Sequence, residues 1–386
     1  MTGEDSEARA MTARAAAGYD LVPYNPNGTG SPGLDIHNLF SVASVFGDFP
    51  PRRNLAVLDL GCGGGGQILR AAEATSGPIL GIDISKTACD EARKRCAHLG
   101  SRCTIRQADL LDLDPATLGS FDVIYMVGLY YVVPPAAQAR LIEILARCLA
   151  PGGVAMISYY SPDVWRSIDA LRRSIQGAID RTAPPRARID AARRHTAELA
   201  RAGHSGVSER ILHHALTCDE PTFFHEMLGE LLAPVTALEL EHRLGPAGIH
   251  FRSGMVPGPY VDLTGPAARA AAADQMPGGY HYAVFGRAAD NRDWCHLAWQ
   301  TRLRRAGATA FGIAVFVDPA SGQALEVAST ATAGLLDALA TGPMAWRDLE
   351  AALAKSPSGT ASLASVKKDF LSFWLRGVAG PMWAAA

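Results

Sequence analysis

Between Leu55 and Tyr160 the chain alternates short apolar runs with amphipathic stretches. The runs predict strands at 55–60, 78–83, 102–108, 121–127 and 153–159. The stretches between them predict helices near 65–76, 86–99 and 134–150, and the 109–120 link is too short for a long helix. Strand, helix, strand at this spacing implies right-handed crossovers and a doubly wound α/β sheet, parallel in its core. After Tyr160 the rhythm changes. Residues 162–232 are almost wholly helix-like, broken at Ala183-Pro-Pro185. A helical segment, Ala237–Leu244, and two strands, at 248–251 and 280–285, then complete the sheet, which makes 161–235 a helical insertion after strand five. Beyond Asn291, a strand pair at 310–317 and 324–329 precedes helices near 331–340, 346–355 and 364–376, with the cadence of a small α+β, winged-helix-like unit. At the other end, 1–17 reads as a polar arm, 18–34 as loop, and Leu39–Phe46 as a short helix closed by Gly47.

Composition narrows the class. Of 386 residues, 48% are hydrophobic and 19% charged, which is globular rather than disordered. The 36 basic residues nearly cancel the 38 acidic ones, so a binder that works by neutralising nucleic-acid phosphates is disfavoured. The longest uncharged run, Val123 to Ala139, contains Gly128 and Pro134-Pro135 and suits a buried strand plus loop better than a membrane span. The first residues lack a signal-peptide layout, and the seven cysteines form no C-x-x-C pair. A cytoplasmic protein with no metal site is the expectation.

The sharpest local signal is Asp59-Leu-Gly61-Cys-Gly63-Gly-Gly65-Gly66 at the end of the first strand. A strand that turns abruptly into a helix beneath a ligand needs positive φ and no Cβ, which glycine alone supplies. Gly61, Gly63 and Gly66 also satisfy G-x-G-x-x-G, a pattern shared by dinucleotide, flavin and nucleoside sites. Asp83 ends the second strand twenty residues beyond Gly63, where a carboxylate can accept both hydroxyls of a ribose. Asp109 follows the third strand, at the edge where an adenine amino group would sit.

Asp59-Leu-Gly-Cys-Gly-Gly-Gly, Asp83, Ala108-Asp109 and Leu149-Ala-Pro-Gly-Gly-Val together resemble the class I S-adenosylmethionine-dependent methyltransferases across residues 55–160. The resemblance implies a Rossmann-like methyltransferase sheet with S-adenosyl-L-methionine as cofactor. It implies that Asp83 binds ribose, that Asp109 lies by the adenine, and that the Gly61–Gly65 turn underlies the methionine moiety. Tyr19, Asp59, Gly61, Cys62, Gly63 and Gln67 are the expected cofactor contacts on the first-strand side. Asp83, Ile84, Asp109, Leu110, Val127 and Gly128 complete that set. A narrower resemblance, carried by Tyr19-Asp-Leu-Val-Pro-Tyr24, Ser31-Pro32, Val127–Pro135, Ser158–Trp165 and Asp219–Glu226, is to bacterial methyltransferases with a methyltransferase regulatory domain. That family includes enzymes acting on lysines of surface proteins. The chain departs from it at Gln67 and Tyr160, where asparagines are expected, and at Asp163-Val164, which replace a glycine-containing turn.

Where strand order reverses, between strands one and four, ligands occupy the crevice above the strand ends. Tyrosines crowd that place: Tyr130, Tyr131, Tyr159 and Tyr160. Ring faces attract sulfonium and ammonium groups and desolvate an acceptor. Tyr24, Tyr130, Tyr131, Tyr160 and His225 are therefore the candidate catalytic residues, with His281 a weaker candidate base. The expected layout is 1–54 lid or arm, 55–160 cofactor core, 161–235 substrate cap, 236–289 completion of the sheet and 290–386 accessory unit. The expected reaction is methyl transfer to an N or O nucleophile of a peptide, protein or small molecule. A nicotinamide or flavin oxidoreductase and a silent scaffold are the alternatives. The partner expectation is a methyl acceptor, in a monomer or homodimer, with neither nucleic acid nor membrane.

Overall fold

The computed structural model describes residues 3–25, 54–203, 207–229, 234–254, 265–275, 280–287, 298–301, 303–310, 312–317, 324–342, 344–345, 348, 351–352 and 379–381. Its centre is a seven-stranded sheet of β1 (Val57–Leu60), β2 (Ile79–Asp83), β3 (Cys103–Gln107), β4 (Phe121–Met126), β5 (Leu149–Tyr160), β6 (His250–Gly254) and β7 (Tyr280–Gly286). The order is β3-β2-β1-β4-β5-β7-β6, with β7 antiparallel to both neighbours and the β1–β5 pairs parallel. A dinucleotide-binding sheet of the 3-2-1-4-5-6 type has no antiparallel strand at that place, so the topology disfavours the oxidoreductase alternative. The chain reverses between β1 and β4, which opens the expected crevice.

Helices cover both faces. They are α1 (Gly3–Leu21), α2 (Gly66–Ala74), α3 (Lys86–Cys96) and α4 (Pro135–Cys148), then α5 (Pro162–Ala178), α6 (Pro185–Ala202), α7 (Glu209–Thr217), α8 (Ala237–Leu244) and α9 (Pro266–Ala273). Neighbouring strand residues alternate between two cores, as the two-residue period of a strand requires. Val57, Val123, Val154 and Val284 face the core that holds Ile68 and Ala71 of α2. Leu58, Ile124, Ala155 and Ala283 face the core filled by Leu141 and Ile144 of α4 and Leu240 of α8. A third core joins α5, α6 and α7, and it also holds Tyr131 and Tyr160.

Three expectations change. The loop expected from residue 18 begins later, because α1 continues through Gly18, Tyr19 and Asp20 to Leu21. There the Asp20 carboxylate accepts from the Ser85 hydroxyl at 2.7 Å and the Thr87 amide at 2.9 Å, a tertiary anchor that outweighs glycine's poor helix propensity. The alanine-rich α9 was not expected. Asp274 at its end accepts from the Ala237 and Leu238 amides and so caps α8. The C-terminal part contains, among the described residues, two antiparallel three-stranded sheets and the helix Thr330–Thr341. The winged-helix reading is not supported by these; the helices expected near 346–355 and 364–376 lie outside the described residues, apart from 348, 351 and 352. The expected Leu39–Phe46 helix and the Ser31-Pro32 motif also lie outside them.

The seat of the glycine turn depends on close contact between β2 and α2. A Cβ on Gly81 would stand 2.5 Å from Ile68 Cδ1 and 3.0 Å from Cys62 Sγ. Ile68 is fully buried and has little room to move. Gly81→Ala should therefore cost about 1–3 kcal/mol by overpacking, read as a lower urea midpoint at unchanged slope. An unchanged midpoint would refute this packing.

Candidate functional site

A cavity of about 1270 Å³ opens above the carboxyl ends of β1, β2, β4 and β5. Its floor is the turn after β1. Gly61, Gly63 and Gly65 have φ of 73°, 51° and 81°, all left-handed, which carries the chain from strand to helix within six residues. A Cβ on Gly63 would meet nothing within 4 Å, so backbone there faces open space. The Gly63 amide donates to Asp83 Oδ2 at 2.8 Å and the Ser85 amide to Oδ1 at 2.9 Å. These bonds fix the carboxylate at the cavity edge, and each oxygen keeps a further acceptor site.

Asp59 is 1% exposed and borders the same cavity, and its Oδ2 has no hydrogen-bond partner. Burial, with nearby Asp83 adding to it, pushes its carboxyl up to about 8. The carboxyl of Asp109 is engaged twice. Oδ1 accepts from the Leu111 amide at 2.9 Å as a turn cap, and Oδ2 accepts from the Thr12 hydroxyl of α1 at 2.6 Å. With Arg9 on Asp112 at 2.7 Å and Asp20 on the turn after β2, α1 is fastened across the floor as a lid. Sequence reasoning identified an arm but had no signal for these anchors.

The opposite wall is aromatic. Tyr131, Tyr160 and Tyr280 meet edge-on, with centroids 4.8–6.0 Å apart. A hydrogen-bonded chain orients them: the Gly128 amide donates to Ser158 Oγ at 2.7 Å, which lies 2.8 Å from the Tyr280 hydroxyl, and the Tyr131 hydroxyl donates to Tyr280 at 3.3 Å. Tyr19 and Tyr24 extend the wall from the lid, stacked or tilted against His225 at 4.3 and 4.7 Å. Burial raises the phenol pKa values of Tyr131, Tyr160 and Tyr280, so these hydroxyls stay protonated near neutrality.

All twelve expected cofactor residues border this cavity: Tyr19, Asp59, Gly61, Cys62, Gly63 and Gln67 on one side, then Asp83, Ile84, Asp109, Leu110, Val127 and Gly128. Of the expected catalytic residues, Tyr24, Tyr131, Tyr160 and His225 border it and Tyr130 does not. Tyr130 is fully buried in the core beneath, its hydroxyl accepting from Arg243 at 2.7 Å. The 3-10 turn Tyr130–Val132 sends neighbouring tyrosines to opposite sides. His225 Nε2 donates to the Val22 carbonyl at 2.6 Å, since a carbonyl only accepts. That nitrogen therefore latches the lid and is not free to take a proton. His281 lies beside Tyr159, outside the cavity, as strand alternation with Tyr280 and Tyr282 dictates.

Sequence reasoning missed Tyr280 and Glu226. Alternation along β7 could have flagged the first. Glu226 sits in a π-helical turn, Phe224–Leu228, which has no sequence signature. Its Oε1 accepts from the Tyr160 hydroxyl at 2.7 Å and its Oε2 pairs with His214 Nε2 at 2.8 Å. No cluster of three or more metal-ligating side chains occurs among the described residues, and no helix among them is long and apolar enough to cross a membrane.

Residues 57–153 match the family model described as "Methyltransferase domain". The chain is 32% identical over 160 residues to uncharacterized protein RP028 of Rickettsia prowazekii (strain Madrid E), covering 40% of this chain and 62% of that one. It is 33% identical over 141 residues to a ubiquinone biosynthesis O-methyltransferase of Alkalilimnicola ehrlichii, covering 35% and 53%. It thus spans less than two thirds of these relatives. PKMT2 from Rickettsia typhi in complex with AdoHcy superposes with a TM-score of 0.65 at 18% identity, over 94% of this chain and 78% of that one.

Asp59 yields a pH test. Its folded pKa lies above the unfolded value near 3.9, so its contribution to stability is fully present below about pH 4. That contribution is lost as pH rises toward about 8. Melting temperatures of wild type and Asp59→Asn, measured across pH 4 to 9, should diverge over that window, with wild type falling more. Parallel curves would contradict the burial account.

Proposed function

We propose that this chain, whose residues 57–153 match a methyltransferase domain, is a class I S-adenosylmethionine-dependent methyltransferase that methylates a cationic amine, a lysine side chain of a peptide or protein. The carrying observation is one cavity with two chemically distinct halves. The floor has a left-handed glycine turn and the fixed Asp83 carboxylate, and the wall has three edge-on tyrosines beside Glu226. The floor fits S-adenosylmethionine on an observation independent of motif. The buried, unpartnered Asp59 oxygen is a cation's natural partner, and the cofactor's methionyl end carries an ammonium group.

Once bound, the cofactor supplies an electrophilic methyl group on a sulfonium. The rest follows from the chain's own residues. Asp83 accepts the ribose hydroxyls, and Gly63 leaves room for close backbone approach. The lid helix excludes water along Thr12 and Asp109. Tyr131, Tyr160 and Tyr280 attract an ammonium and strip its hydration, and the tight wall restricts the orientations open to the acceptor. A carboxylate acceptor fits this wall poorly, because Glu226 would repel it. Overall likeness to PKMT2 supports a protein acceptor, and Gln176 of α5 and Arg188 of α6 border the cavity on the side where such a chain would lie.

Calorimetry should detect AdoHcy binding in the micromolar range, weakened at least tenfold by Asp83→Ala. Labelled methyl groups should pass from S-adenosylmethionine to poly-L-lysine and not to poly-L-glutamate. A folded protein that binds no AdoHcy would refute the methyltransferase reading, and transfer to poly-L-glutamate alone would refute the amine.

A further inference from the structure

The Glu226 carboxylate has one oxygen on the aromatic chamber and the other on a histidine. Oε1 takes the Tyr160 hydroxyl and Oε2 lies 2.8 Å from His214 Nε2. The Glu226 side chain is 14% exposed and that of His214 33%, so the pair bridges cavity and solvent. The backbone around Glu226 is built to hold it. The turn is π-helical, which frees carbonyls, and the buried Arg172 of α5 donates to Glu226 O within it and to Gly229 O just after it. Single π-helical turns occur frequently at functional sites.

We propose that Glu226 is the acidic wall that receives the acceptor's ammonium and that His214 is the outlet for its proton. This rests on the amine reading above. An ammonium nitrogen has no lone pair, so it must lose a proton before it can attack a methyl group. An N–H proton passes from the ammonium to a Glu226 carboxylate oxygen, leaving a neutral amine and a neutral carboxyl. His214, which releases its own proton to solvent as the ammonium engages Glu226, takes this one from the carboxyl at Nε2, and the imidazolium releases it to solvent. The amine's lone pair then forms the new N–C bond while the methyl–sulfur bond breaks and its electrons stay on sulfur. Glu226 is restored as carboxylate. Glu226 touches the acceptor; His214 acts through it, as a positioning residue and proton carrier.

The surroundings suit this role. Facing Glu226 are Tyr160 of β5, Tyr280 of β7, Tyr24 of the lid segment, and Arg172 of α5. Cys218 and Asp219 follow α7, and Arg210 of α7 lies by His214. From α6, Arg188 and Arg193 stack on Phe224 and Phe223, the rings preceding His225 on the same stretch. Glu226 holds the His214 pKa above its ordinary value, against burial and Arg210. A cation in the chamber competes for the same carboxylate, so it must weaken the proton on His214, and the linkage is reciprocal.

The test uses the full chain saturated with AdoHcy and two probes of one shape, choline and the uncharged 3,3-dimethylbutan-1-ol. His214 is titrated by NMR, its signal assigned with His214→Asn. Choline should lower the His214 pKa by about half a pH unit or more, a threefold or greater change in proton affinity. The alcohol should leave it unmoved and bind at least tenfold more weakly. Glu226→Gln should lower the His214 pKa, because burial and Arg210 then act unopposed, and should abolish the response. Choline that binds without moving His214, equal affinity for the alcohol, or no choline binding each overturns the proposal. Retained AdoHcy binding then leaves the methyltransferase reading standing, whereas its loss would sink that reading instead. The wild-type comparison decides the matter even if Glu226→Gln fails to fold.

Discussion

The bond from the Gly63 amide to Asp83 at 2.8 Å ties the first two strands together above the sheet, and the geometry of the cavity follows from it. A left-handed turn leaves its amides pointing outward, and an unpaired buried amide would be costly. The carboxylate that ends β2 satisfies one of them and is itself held by Ser85. Its position in turn sets where α1 docks, because Asp20 reaches the same Ser85 through its hydroxyl. The absence of a side chain at Gly81 lets α2 settle close enough for that turn to form. Altering any of these contacts displaces the others.

Two segments remote in sequence meet over this floor. The end of α1 brings Tyr19 and Val22, and the π-helical turn brings His225 and Glu226. His225 latches the lid while its neighbour Glu226 faces the tyrosines, so one turn serves both halves of the cavity. The lid and the aromatic wall are therefore mechanically joined. In our reading, closure over the donor assembles the place where the amine is received, which ties binding of one partner to the order required for the other.

The sheet and its glycine turn were legible because both obey local rules. Strand period, crossover length and positive φ at Gly61, Gly63 and Gly65 are written in adjacent residues. Asp83 and Asp109 were legible for the same reason, each lying at a strand end. Tyr130 and Tyr131 were not separable, since a single 3-10 turn decides which faces the cavity. Glu226 was hidden because its placement depends on Arg172, fifty-four residues away, and on a turn with no signature. The extension of α1 through Gly18 was hidden likewise, as it is held by Ser85, Thr87 and His225, all remote in sequence.

The most direct test of the account is a crystal structure of the chain with AdoHcy and n-butylamine together. The ribose hydroxyls should lie on Asp83, the methionyl ammonium should face Asp59, and the amine nitrogen should sit among Tyr131, Tyr160 and Tyr280 within reach of Glu226. AdoHcy on the floor with the amine bound elsewhere, or AdoHcy outside this cavity, would contradict it.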